Sequence, residues 1–179
     1  ITTSDVSAAT SIYFTPYLGN RVALYDGSAN WNTRTFSELT IALAGFTASR
    51  PYAVYLYDNS GTVTVETEIW ASSTTRTTAL TLQNGVYVRT GATTRRHVCD
   101  VYINSSGGQT DDTLAIRSIW NRYNQVPRPL QRFDSGTWTY TTATVRQANA
   151  NTANQIDVMV GEVSPISVTV QAYLSNSAA

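Results

Sequence analysis

Apolar and polar positions alternate along short stretches of this chain, with turn-forming residues between them, and that period of two predicts strands. Arg21–Tyr25 reads as a strand closed by Asp26-Gly27. Phe36–Ala44 is strongly apolar and stops at Gly45. Tyr52–Tyr57 and Thr62–Trp70 flank Asp58-Asn59-Ser60-Gly61, with Val63, Val65, Thr67 and Ile69 on one face, so Tyr52–Trp70 reads as a hairpin. Ala79–Leu82 and Val86–Arg89 flank Asn84-Gly85, a pair that tolerates the positive φ of a two-residue hairpin turn. His97–Ile103, Thr137–Val145, Ile156–Val163 and Ile166–Tyr173 complete the expected strands, the last two broken by Ser164-Pro165. Thr90–Arg96 and Ala143–Asn154 read as loops.

One stretch changes period. Asp111 and Asp112 follow a polar loop and are placed to accept the free N–H groups of a helical first turn. Leu114, Ile116, Ile119, Trp120 and Tyr123 come next at near-helical spacing, and Asn124 and Pro127 stop the run. The expectation is one short amphipathic α-helix near residues 112–123. The whole reading is a mostly β chain forming a single domain over 1–179. It is a jelly-roll-like antiparallel β-sandwich with that helix packed on a sheet.

Composition sharpens this picture. Threonine, valine and tyrosine suit a pleated surface better than a helix. A chain of 179 residues buries about 70% of its unfolded surface and needs no disulfide or metal to hold a core. The single cysteine, Cys99, excludes an internal disulfide. Twelve basic residues balance twelve acidic ones, and all twelve are arginine. Nucleic-acid binding through phosphates calls for a basic excess, so no nucleic-acid partner is expected. The apolar runs are too short to cross a bilayer as helices, and no membrane association is expected. No basic-then-apolar leader opens the chain, which begins at Ile1 and is either processed or cut from a longer sequence.

Few residues carry chemistry. His97 is the only histidine, so any acid–base site built on an imidazole would have to use it. Two positions away on the same expected strand, Cys99 would share its face; the reading is an ordinary sheet residue. Glu66 and Glu68 also share a strand face, at a spacing that glycoside hydrolysis tolerates, but are read as a solvated outer face. One histidine and one cysteine cannot build a structural zinc site. Asp58-Asn59-Ser60-Gly61 lacks the later glutamate of a calcium loop. Asp111 and Asp112 would repel a phosphate at the helix start. No metal, cofactor or catalytic residue is therefore expected. Trp120 is read as core, and Asn121 and Asn124 as structural hydrogen-bonding residues. Trp31, read as lying in a loop between Asn30 and Asn32, is the candidate contact for a cell-surface glycan. Arg117, Arg122, Arg128 and Arg132, along and just beyond the expected helix, are the candidate subunit interface.

Three segments carry a resemblance. They are Tyr17-Leu18-Gly19-Asn20-Arg21-Val22-Ala23-Leu24-Tyr25-Asp26-Gly27 with Trp31; Ile119-Trp120-Asn121-Arg122-Tyr123-Asn124-Gln125-Val126; and Trp138-Thr139-Tyr140 with Val145-Arg146-Gln147-Ala148. In this order the chain resembles, from about Thr10 to Tyr173, a domain of bacteriophage head-decoration, head-fibre and tail-fibre proteins. The resemblance implies a β-sandwich on the outside of the virion, often a homotrimer, whose partners are capsid or fibre proteins. It brings no catalytic residues.

Overall fold

The computed structural model describes residues 4–139, 144–162, 166, 167 and 169. Its strands are β1 (Val6–Ala9), β2 (Ser11–Phe14), β3 (Arg21–Tyr25), β4 (Trp31–Thr35), β5 (Leu39–Ala42), β6 (Pro51–Asn59) and β7 (Thr62–Ile69). They continue with β8 (Leu80–Gln83), β9 (Val86–Arg89), β10 (Ala92–Tyr102), β11 (Thr110–Asp112), β12 (Ile116–Arg117), β13 (Ile119–Asn121) and β14 (Asp157–Val158). The main sheet runs β7-β6-β10-β9-β8, and β13 adds to β10 beyond the end of β9. Two two-stranded pairs, β2-β5 and the β3-β4 hairpin that lies between them in the chain, and a small sheet β1-β11-β12-β14 complete the fold. Among the described residues pairing is antiparallel except between β12 and β14.

Two tight turns follow from local chemistry. Ser60 and Gly61, and likewise Asn84 and Gly85, hold positive φ at both central positions. The Asp58 carboxylate also accepts the Gly61 N–H at 2.7 Å. These turns fix the registers Asn59 with Thr62 and Gln83 with Val86.

The central strand β6 is buried from Pro51 to Leu56, on both faces. Tyr52, Val54 and Leu56 look into the main core with Val63, Val98, Cys99, Val101 and Ile103. Ile12, Leu24 and Ile41, from the β2-β5 and β3-β4 pairs, and Leu43, just after β5, cover that layer. These are the two facing layers of a β-sandwich. Ala53 and Tyr55 point the other way and meet Trp70, Leu80 and Met159. That second face is covered differently. β7 and β8 are opposite edges of the sheet, so the 70–79 connection must cross from one to the other.

No helix forms over 112–123, which holds β11, β12 and β13 instead. The apolar spacing is helical by coincidence. Leu114 and Tyr123 are exposed, while Arg117 and Ser118, which a helix would turn to water, are 9% and 3% exposed. Thr113 and Ile116 exchange backbone hydrogen bonds in both directions, a tight turn. Asp111 caps nothing; its carboxylate accepts the Ala8 N–H at 2.8 Å and ties β1 to β11. Among the described residues the helical structure is a 3-10 turn at Ala148–Ala150. Other differences are local. Residues 92–96 belong to β10 rather than to a loop, and β1, β2 and β4 had no clear apolar alternation to announce them. The described parts of Thr137–Val145 carry no strand, and of Ile156–Val163 only Asp157–Val158 pairs. Most of Ile166–Tyr173 lies outside the described residues.

Leu56 is fully buried in the main core. Leu56→Ala should lower unfolding stability by about 2–5 kcal/mol, read as an earlier urea midpoint with unchanged slope.

Candidate functional site

The second face of the main sheet holds a network of charges built by one extra residue. Opposite β6, His97 pairs with Tyr55 but Cys99 pairs with Val54, so β10 spends two residues where β6 spends one. This is a β-bulge at Val98. In a regular strand, positions three apart point to opposite faces. Here the extra residue returns Asp100 to the face of His97, and His97 Nε2 lies 3.1 Å from Asp100 Oδ1. The same bulge sends Cys99 into the main core, so the expected sharing of a face by His97 and Cys99 does not occur.

Both side chains are wholly buried. Arg76, from the crossing connection, donates two parallel bonds to Asp100, each 2.7 Å, the fork geometry that suits a buried carboxylate. Arg122 follows β13 and donates from Nε to His97 Nδ1 at 3.0 Å. An arginine only donates, so Nδ1 accepts and the imidazole carries its proton on Nε2, facing Asp100. His97 is therefore neutral. Arg122 also pairs with Glu162 at 3.4 Å. Two guanidinium and two carboxylate charges balance around this neutral ring. Aromatic rings enclose them: Arg76 lies 4.3 Å from the Trp70 ring, and Arg122 lies 4.0 Å from Tyr87 and 4.9 Å from Trp120.

The protonation equilibria follow from burial. Burial pushes the His97 pKa below its ordinary 6.5; Asp100 opposes this, and the charges of Arg76 and Arg122 add to it. For Asp100, burial alone would raise the pKa, but the bonds from His97 and Arg76 outweigh it and hold the carboxyl below its ordinary 3.8. Burial raises the Cys99 thiol far above its ordinary value, so it is inert.

The residues singled out in the sequence fall in several places. Glu66 and Glu68 are not a bare acidic pair. Arg89 forks between them at 2.6 Å each, Arg95 reaches Glu66 at 2.8 Å, and Thr78 reaches Glu68 at 2.8 Å. None of the four arginines lines a helix, and Arg117, Arg122 and Arg128 turn inward. Arg117 and Arg128 both grip Asp112, at 3.0 and 2.7 Å. Arg117 also donates to the Pro129 carbonyl, which ties the chain after β13 to the small sheet. Arg122 lies in the buried network, and Arg132 is exposed with Nε on Asn154 at 3.2 Å. Trp31 opens strand β4 instead of sitting in a loop. It is half-buried, packs on Tyr25 at 5.4 Å and donates to Asn84 at 3.3 Å. The Asn30 amide donates to Asp26 at 3.0 Å. Asn32 pairs with Leu24 in the strand register and, one residue on from Trp31, faces the opposite way. Asp26 gathers the N–H groups of Ser28, Ala29 and Asn30, which hold its carboxyl far below the ordinary range. Trp120 is core, as expected, but in a strand; Asn121 accepts the N–H groups of Tyr123 and Asn124.

What sequence reasoning missed is the segment after β13. Residues 124–139 carry no helix or strand. Large apolar side chains stand exposed there and further on: Phe133 at 75%, Val145 at 98%, with Val126, Trp138 and Ile156. A signal was present, since Pro127, Pro129 and Gly136 interrupt any regular pattern while Phe133 and Trp138 remain apolar. No family model matches the chain, and no curated protein or solved structure matches it significantly.

Two outcomes test the network. Asp100→Asn leaves Arg76 without its buried counter-charge and should cost about 3–5 kcal/mol of stability, measured by chemical denaturation. The second concerns pH. An unfolded histidine binds a proton near pH 6.5, while folded His97 resists until lower pH, so the unfolded state holds more protons in between. Stability is then complete above that pH and falls as the solution is acidified. Asp100 extends the loss below its ordinary value in the same sense. The melting temperature should drop as pH falls below 6.5, and His97→Gln should flatten the upper part of that slope.

Proposed function

We propose that this chain is a structural component of a bacteriophage virion, of the head-decoration or head-fibre type. It docks on the capsid or a fibre and assembles with copies of itself. The observation that carries this reading is the apolar surface of the chain after β13. Phe133, Trp138 and Val145 stand well exposed on a stretch with little regular structure of its own. Large exposed apolar side chains recurring along one stretch offer a surface on which other protein can pack.

Two further features support it. The motif residues of the resemblance do structural work: Asp26 closes the β3-β4 turn, and Trp120, Asn121 and Arg122 carry the end of the main sheet. The only histidine has both ring nitrogens engaged by protein groups and no exposed surface, which suits a load-carrying residue better than a proton-transfer one.

Light scattering of the purified chain should give a multiple of 19.5 kDa, three copies by the resemblance, and Phe133→Ser should reduce that mass. Antibody raised against the chain should label intact particles of the source virus. A stable monomer together with unlabelled particles would remove the reading.

A further inference from the structure

We propose that residues 154–162 are exchanged between copies, each copy's strap docking on the β12 edge and Trp120 of a neighbour. This rests on the reading of the chain as self-assembling and names the segment that joins the copies.

The strap is a small docked unit. The Asp157 N–H donates to the Ala115 carbonyl at 2.9 Å, and the Met159 N–H to the Arg117 carbonyl at 2.7 Å. Asp157 and Val158 run parallel to Ile116 and Arg117. Gly161 lies against the face of the Trp120 indole so closely that a Cβ could not be accommodated. Glu162 meets Arg122 at 3.4 Å, and Asn154 meets Arg132 and Asp134. The fit is specific, but the seam is short. An open groove of about 490 Å³ remains between the strap and the crossing connection, lined by Trp70, Thr74, Arg76, Met159 and Glu162.

The connection into the strap is the second observation. Asp134 and Asn154 are hydrogen-bonded partners, so a few residues would join them within one chain. Instead 19 residues, 135–153, lie between them in the sequence, and the described ones carry one 3-10 turn and no strand. Excursions beyond about 15 residues without strands or helices are uncommon in compact domains and usually functional. This one holds Trp138 and Val145, both exposed. Exchange keeps every contact of the strap unchanged, so it costs little. It also lays those side chains along the neighbour. The strap then acts as an added strand whose backbone gives affinity and whose Gly161 gives selectivity.

The test is an Ile116→Cys/Asp157→Cys double variant of the full chain, oxidised at low concentration and run without reductant, beside the native mass of the wild type. The native Cys99 is buried in the core and does not compete. Covalently joined chains as the main product establish exchange. A disulfide confined within single chains, from a protein whose native mass is a multiple, overturns exchange while leaving self-assembly standing. A monomeric native mass overturns both. Absence of any disulfide overturns exchange too, because it removes residue 157 from beside residue 116.

Discussion

A carboxylate placed in an apolar layer must be met by donors, and Asp100 imposes that demand on one whole face of the main sheet. Each donor comes from a different part of the chain. His97 arrives because β10 carries a bulge, and Arg76 because the β7–β8 connection crosses the sheet. Arg122 arrives because β13 continues the sheet beside β10, and it fixes the imidazole that faces Asp100. The bulge is thus the condition for the network, and the network anchors the connection that covers Tyr55 and Ala53. Burying such charges stabilises only when all of them are satisfied together.

The absence of lysine takes on meaning here. Arg76 forks onto Asp100 while lying over Trp70, and Arg95 bonds Glu66 while lying over Tyr57 at 4.0 Å. Arg122 donates to His97 between Tyr87 and Trp120. A guanidinium is flat enough to stack and still directs several N–H groups in its plane; an ammonium does one or the other. Replacing these arginines by lysine would keep the charge and lose the geometry.

Much of the fold was legible where backbone chemistry is local. Asn84-Gly85 and Asp58-Asn59-Ser60-Gly61 announced their hairpins, since few residues accept positive φ. The alternation of Val63, Val65 and Ile69 located the inner face of β7. Leu114 to Tyr123 misled because three short strands with turns place apolar residues at the spacing of a helix. Only the tertiary partners of Arg117 and Ser118 decide the matter. The network was out of reach for a similar reason. A bulge leaves no mark in composition, yet it changes which residues share a face, so His97 was paired with Cys99 rather than with Asp100. Arg117, Arg122 and Arg128 stand close together in the sequence, but their inward direction depends on Asp112, Pro129 and His97, which are distant or ambiguous there.

The path from β7 to β8 has a consequence for how the chain acquires its shape. The β6-β7 hairpin is complete as soon as its turn has been made, yet the neighbour that β6 requires on its other side is β10, which is made later than β8 and β9. Until then Arg76 has no Asp100 to hold, and the crossing segment has nothing to fasten it over Tyr55 and Ala53. The middle of the sheet therefore closes only when β10 arrives, and β13 and Met159 are added after it. Non-local closure of this kind makes for slow, cooperative folding, and it leaves the tyrosine-rich strand uncovered on a growing chain until that moment.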